Sequence, residues 1–287
     1  MKQLNVNYQK KIGRMIKDVE ILKPKLIYYN GKRGDVKSFK KILVGARIKN
    51  VQRRAKILLF ELSNGYFFIL HLKMTGQLIL RAKGEKDATG GHPWPSLMNP
   101  TPNKWTHITI FFTDKSILYF NDIRQFGYIK IFKTSELKKQ KELNLLGIEP
   151  FDKKFTLNIL INMLLDRPKT KIKQLLLDQH FISGIGNIYA DESLYFANIH
   201  PTRLAGKLQT AEIKKLYMGV KSIILKSITM GGTSANTYVT LNGKKGVYKP
   251  FLKVYGKEGE PCSKCQGNIS RIKLGGRSSH FCPDCQN

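Results

Sequence analysis

The sequence predicts an α+β multidomain protein with an N-terminal antiparallel β-sandwich, a helical domain and a C-terminal four-cysteine zinc β-ribbon. Three observations carry this. The first half alternates with the two-residue period of strands, the second half takes up three- and four-residue apolar spacing, and all four cysteines fall within the last 26 residues. A length of 287 residues and a hydrophobic content of 41% are enough for two cores and a small module.

Taken in order, short runs rich in β-branched and aromatic residues lie at Ile57–Leu62, Tyr66–Leu72, Gln77–Arg81, His107–Phe112, Ser116–Asn121 and Gly127–Phe132. Turn signals such as Ser63-Asn64-Gly65 and Thr113-Asp114-Lys115 part them at hairpin spacing, which predicts the sandwich over residues 1–133. Lys83 to Lys104, with its prolines and Gly90-Gly91, reads as a loop. Residues 134–152 are lysine-rich and turn-terminated, the pattern of a linker. Helical periodicity occupies 153–232, with helices expected at Phe155–Leu165, Ile172–Gln179, Asn187–Ala197 and Ala211–Met230, the last stopped by Gly231-Gly232. The remaining part, 233–287, begins with a polar loop, 233–248, and ends in the ribbon.

In that ribbon, Cys262, Cys265, Cys282 and Cys285 form two CxxC knuckles sixteen residues apart. The pattern reads as one tetrahedral structural Zn2+, closed to water because every ligand is a thiolate. Two disulfides in a secreted domain are the alternative. It is disfavoured because the opening residues lack an apolar signal core, so reduced cysteines in the cytoplasm are expected. The segment between the knuckles holds Gly275, Gly276 and Arg277, which places an arginine on a metal-stiffened hairpin.

Lys and Arg number 50 against 20 Asp and Glu, a net charge of +30. A surplus of that size calls for a polyanionic partner, nucleic acid first and an anionic membrane face second. No run of 18 apolar residues exists to span a bilayer. Between two expected helices, Gly184 and Gly186 let the backbone turn sharply and approach a ligand. Asn187 is placed to cap the second helix, whose free N–H groups suit a phosphate, although a plain glycine corner reads equally well.

This hairpin, Lys171 to Leu194, closely resembles the helix–two-turn–helix of the formamidopyrimidine-DNA glycosylase / endonuclease VIII family, with the formamidopyrimidine-DNA glycosylase branch the nearer. The resemblance extends from about Gly13 to Cys285. It includes Arg53-Arg-Ala-Lys-Ile-Leu-Leu-Phe60, His71-Leu-Lys-Met-Thr-Gly76, Asn121-Asp-Ile-Arg-Gln-Phe-Gly127, Gly147-Ile-Glu-Pro150, Val254-Tyr-Gly-Lys-Glu-Gly-Glu-Pro-Cys262 and Gly276-Arg-Ser-Ser-His-Phe-Cys282. It implies a monomer acting on damaged double-stranded DNA, excising oxidised purines such as 8-oxoguanine and formamidopyrimidine and nicking the abasic strand by β,δ-elimination.

By the same resemblance, Met74, Arg124 and Phe126 fill the void left when a base is flipped out, and Lys56 supports the lesion phosphate and elimination. Lys173, Gly186 and Asn187 hold phosphates, and Arg277 grips phosphate and assists the second elimination. The loop 231–248 covers the flipped base. Without the resemblance the same residues read blandly: Met74 and Phe126 as core, Lys56 as a strand-end lysine, Arg277 as a solvated turn residue. Trp105 stands where members of the family often carry a DNA-contacting histidine, and His107 is expected on the same strand face.

The family works through an N-terminal proline followed by glutamate. Here the first proline is Pro24 and the first acidic residue Asp18. Two expectations follow: the catalytic start lies upstream of Met1, or the chain is a catalytically inactive damaged-DNA-binding protein. An RNA-binding zinc-ribbon protein is the remaining rival, served by the hairpin and the charge but not by the set Met74, Arg124 and Phe126.

Overall fold

A computed structural model describes residues 12–84, 87–91, 99–232 and 247–287, and the chain falls into two compact units, Met1–Asn144 with Met230–Val247 and Leu145–Thr229 with Tyr248–Asn287. The expected base-covering segment 233–246 and the opening residues 1–11 lie outside the described residues.

The first unit is a β-sandwich. Its strands are β1 (Ile16–Ile21), β2 (Ile27–Tyr29), β3 (Lys32–Arg33), β4 (Ile48–Arg54), β5 (Ile57–Leu62), β6 (Tyr66–His71), β7 (Gly76–Arg81), β8 (Ala88–Gly91), β9 (Thr106–Phe112), β10 (Ile117–Asp122) and β11 (Tyr128–Lys133). One sheet runs β1-β9-β10-β7-β8 and the other β3-β2-β11-β6-β5-β4. Pairing is antiparallel except between β2 and β11, which run parallel. Phe60 and Phe68 of the six-stranded sheet stack with centroids 4.3 Å apart, in one apolar cluster with Leu78, Ile108, Ile110 and Phe120 of the five-stranded sheet. That shared cluster is what makes the two sheets one sandwich.

Several parts of this unit depart from the sequence reading. Ala88–Gly91, expected as loop, adds a strand to β7, because Gly91 lets its backbone lie close against Gly76 and Gln77. Strands β2 to β4 are too short or too polar to alternate clearly, β4 being an edge strand of sequence IKNVQRR. Helix α1 (Val36–Leu43) interrupts the strands; the Asp35 carboxylate accepts the Ser38 N–H at its start, and Phe39, Ile42 and Leu43 form its buried face. The segment read as a linker holds a 3-10 turn at Thr134–Lys139 and helix α2 (Lys141–Asn144).

The second unit contains α3 (Leu157–Leu165), α4 (Ile172–Leu177), α5 (Asn187–Ala197), α6 (Thr210–Thr229) and the hairpin β12 (Ser270–Leu274)–β13 (Arg277–Phe281). Its core joins Leu160 and Leu164 of α3, Leu175 and Leu176 of α4, Ala190 and Leu194 of α5, and Leu216 and Val220 of α6. A second small cluster, Tyr195, Val254, Ile269, Cys262 and Cys282, seats the ribbon on α5.

Candidate nucleic-acid interface and metal centre

Two loops of the sandwich form the first part of the site. Residues 72–75 join β6 to β7, and residues 123–127 join β10 to β11. Because β7 pairs with β10 and β6 with β11, both loops cross from one sheet to the other side by side, with Gly76 opposite Asp122 and His71 opposite Tyr128. Met74 stands on the first loop, Arg124 and Phe126 on the second. Met74 is 54% exposed and Phe126 is 55% exposed, so the bland reading of both as core residues is overturned. The Arg124 guanidinium lies 4.7 Å from the centre of the Phe126 ring. Lys73 and Gln125, beside these side chains, hold left-handed backbone at φ +51° and +55°, a strain of about 1–2 kcal/mol each for residues with a Cβ.

Lys56 occupies the turn from β4 to β5, partly buried. Next to it is His71, which sequence reasoning did not single out. Burial first, then the charges of Lys73 and Lys56, push the His71 imidazole down to about 4, so it is neutral near pH 7. Its Nδ1 accepts the Lys73 N–H at 2.9 Å, which leaves the proton on Nε2 as a donor. A cation with a neutral N–H donor beside it suits a phosphate oxygen. The visible signal was a histidine directly preceding the Met74 loop. His107, expected on the same strand face as Trp105, is buried and bonds the Asp122 carbonyl oxygen through Nε2 at 2.7 Å; Trp105 lies just before β9, partly buried, under the Lys104 ammonium.

In the second unit Lys173 and Asn187 converge on one backbone group beside Arg277. The Lys173 ammonium and the Asn187 side-chain amide both donate to the Ser278 carbonyl oxygen, each at 2.8 Å. Ser278 follows Arg277, which is exposed at the start of β13. Between Leu274 and Arg277 the chain turns through Gly275 and Gly276, at φ +55° and +74°, the two-residue turn whose twist matches a hairpin.

One expectation is corrected here. Asn187 does not cap α5: Gly186 is the cap residue, in extended conformation, and Asn187 is the first helical residue, free to reach across to the ribbon. Lys173 lies inside the unit: it is 0% exposed and ion-paired to Asp191 at 2.5 Å. Burial lowers its pKa although Asp191 works the other way. Swinging it outward would leave the Asp191 charge buried and unpaired, at about 3–5 kcal/mol. Asp191 also accepts the His280 backbone N–H at 3.0 Å, and Glu192 accepts the N–H groups of Lys253, Val254 and Tyr255 at 2.9 Å, fastening the chain that enters the ribbon. Both acids were missed because they sit inside the apolar pattern of α5, between Ala190 and Leu194.

The sulfur atoms of Cys262, Cys265, Cys282 and Cys285 all lie within 4.8 Å of one another. A Zn–S bond of about 2.3 Å sets tetrahedral S···S separations of about 3.8 Å. Cys262 and Cys285 are 3.9 Å apart and Cys265 and Cys282 3.5 Å, so the quartet fits one structural zinc. Burial opposes the Cys262 thiolate, but the Tyr195 hydroxyl and the Lys264 and Cys265 N–H groups outweigh it and hold the thiol down to about 6.

A sandwich with an exposed apolar and cationic wedge, and a helical unit whose glycine hairpin grips a four-cysteine ribbon, are the parts of a zinc-ribbon DNA glycosylase of the helix–two-turn–helix class. Three family models match: the formamidopyrimidine-DNA glycosylase N-terminal domain over 4–129, the formamidopyrimidine-DNA glycosylase H2TH domain over 146–239, and the zinc finger found in FPG and IleRS over 259–287. Formamidopyrimidine-DNA glycosylase of Pelotomaculum thermopropionicum is 40% identical over 274 residues, covering 96% of this chain and 92% of that protein. That of an Exiguobacterium species is 38% identical over 276 residues, with coverage of 96% and 92%. Among solved structures, the Lactococcus lactis Fpg complex with abasic-site DNA superposes with a TM-score of 0.84 at 32% identity, over 100% of this chain and 97% of that one. The Lactococcus lactis complex with Fapy-dG DNA gives 0.83 at 31%, over 100% and 98%. The chain belongs to the formamidopyrimidine-DNA glycosylase family.

Proposed function

We propose that this chain acts in base excision repair on damaged double-stranded DNA, removing oxidised purines and nicking the abasic strand by β,δ-elimination. One observation carries the reading: Met74 and Phe126, large and apolar, project into solvent on adjoining loops, with the Arg124 guanidinium over the Phe126 ring. An extruded base leaves a hole that an apolar wedge fills, and a guanidinium bonds the orphaned partner. In the first unit Lys56 and the His71 N–H suit a phosphate; in the second, the backbone N–H groups of Gly186 and Asn187 at the start of α5 suit a phosphate of their own. Arg277 suits a phosphate through its planar fork. Lys173 supports that arginine from behind, and the zinc stiffens the hairpin that carries it. The nucleophilic amine belongs to the family's Pro-Glu start, and residues 1–11 lie outside those described. The protein works as a monomer in the cytoplasm, at the nucleoid.

Borohydride trapping on an abasic-site duplex tests the reading. A covalent adduct supports the lyase. Specific binding without an adduct supports damage recognition without catalysis, and equal affinity for intact and abasic duplex overturns both.

A further inference from the structure

Each backbone that carries a wedge side chain is tied to a single buried acid. Asp122, the last residue of β10, is 0% exposed and spends one carboxylate oxygen on each loop. Oδ1 accepts the hydroxyl of Thr75, the neighbour of Met74. Oδ2 accepts the N–H of Gly127, the neighbour of Phe126, at 2.7 Å. The circuit closes through Thr75, whose Oγ1 accepts the backbone N–H of Arg124 at 3.1 Å. Every bond therefore lands on, or one residue from, Met74, Arg124 or Phe126. Gly127 has no room for a side chain, since a Cβ there would come within 2.7 Å of the Phe120 ring and 3.0 Å of Asp122 Oδ2.

The loops need such a tie for two reasons. They hold apolar side chains in water, where collapse onto the sheet is the favoured alternative. They also hold Lys73 and Gln125 in left-handed backbone, which persists only where surrounding bonds over-determine it. We infer that Asp122 is a positioning residue: it clamps the loops 72–75 and 123–127 together, so that Met74, Arg124 and Phe126 form one preorganised wedge before DNA arrives. A wedge assembled in advance spends none of its binding energy on ordering loops, and that energy remains available for extruding the base. The inference rests on the proposed function, through the role given to the wedge.

The test uses the whole chain and a duplex holding a tetrahydrofuran abasic analogue, with 2-aminopurine opposite it to report unstacking. Asp122→Asn offers Gly127 or Thr75 an amide in place of an acceptor, and Thr75→Val removes one hydroxyl without changing shape. Each is expected to lower the preference for the abasic over the intact duplex about ten- to hundredfold and to abolish the 2-aminopurine rise. Affinity for intact duplex should hold within about twofold, since phosphate contacts are untouched. In a Met74→Ala/Phe126→Ala background, Asp122→Asn should do nothing further, which a general loss of stability would not reproduce. If Asp122→Asn fails to fold, Thr75→Val alone decides. Should Met74→Ala/Phe126→Ala abolish the preference while both clamp variants keep it, the positioning role is wrong and the wedge stands. A preference that survives Met74→Ala/Phe126→Ala removes the wedge itself, and the clamp's purpose with it.

Discussion

At His71, burial and two lysines act in the same direction, and the sign of the effect follows. The folded pKa is about 4 against an ordinary 6.5, so the neutral ring is the form the fold accepts. Above pH 6.5 neither state binds the proton, and the full stability is present. Between 6.5 and 4 the unfolded chain protonates and the folded chain does not, so stability falls as pH falls. The difference in unfolding free energy between wild type and His71→Gln should therefore shrink by about 2–3 kcal/mol from pH 7 to pH 4. Both tryptophans, Trp94 and Trp105, precede the Asn144/Leu145 division, so urea titrations followed by tryptophan fluorescence report the first unit alone. A difference that does not change with pH would mean that His71 titrates normally and that its donor beside Lys56 is not fixed. Single-residue environments of this kind were the least legible part of the sequence. Met74 and Phe126 read as core because side-chain chemistry speaks for burial, whereas their exposure follows from which sheets β6, β7, β10 and β11 join, a property of topology. Lys173 shows the converse: a lysine reads as surface, yet Asp191, eighteen residues on, draws it fully inside.

Among the elements, the ribbon was the most legible, because metal ligation needs fixed residue types at fixed spacing and leaves few alternatives. Helices α3 to α6 came through within a few residues of their bounds, since their apolar stripes are long enough to average over exceptions. Short strands did not. β2, β3 and β8 hold two to four residues each, too few for a period to be seen, and they exist because neighbours offer them a free edge. The cap of α5 was misplaced by one residue because Asn187 is a good capping type, but its amide is used on Ser278 instead. The ribbon's dependence on its metal yields an expectation at this scale. Cys265→Ser removes one of four thiolates and should release zinc, read with a chromogenic chelator. The hairpin bearing Arg277 then loses its pin, although α4 and α5 still hold its backbone through Ser278. Affinity for abasic duplex should drop about tenfold while the sandwich, followed by tryptophan fluorescence, melts unchanged. Zinc loss without loss of affinity would show that the helical residues alone fix the hairpin.

For the molecule as a whole, a net charge of +30 supplies binding that carries no sequence or lesion information, and the wedge supplies discrimination with a single charge, that of Arg124. The two should separate when salt is varied. Each phosphate neutralised releases condensed counterions, so the logarithm of affinity falls linearly with the logarithm of salt, by about 0.9 per contact. With on the order of 6–10 contacts, affinity for intact duplex should fall about 10³–10⁵-fold between 50 and 200 mM salt. Extruding a base and filling its place with Met74 and Phe126 is apolar burial and stacking, to which counterion release does not apply. The ratio of affinities for abasic and intact duplex should then stay nearly constant across the same range, while both affinities collapse together. Competition titrations of the two duplexes at several salt concentrations measure this directly. A ratio that falls in step with affinity would mean that lesions are told apart by extra phosphate contacts. Discrimination would then have to be sought in the exposed cations rather than in the three side chains clamped above Asp122.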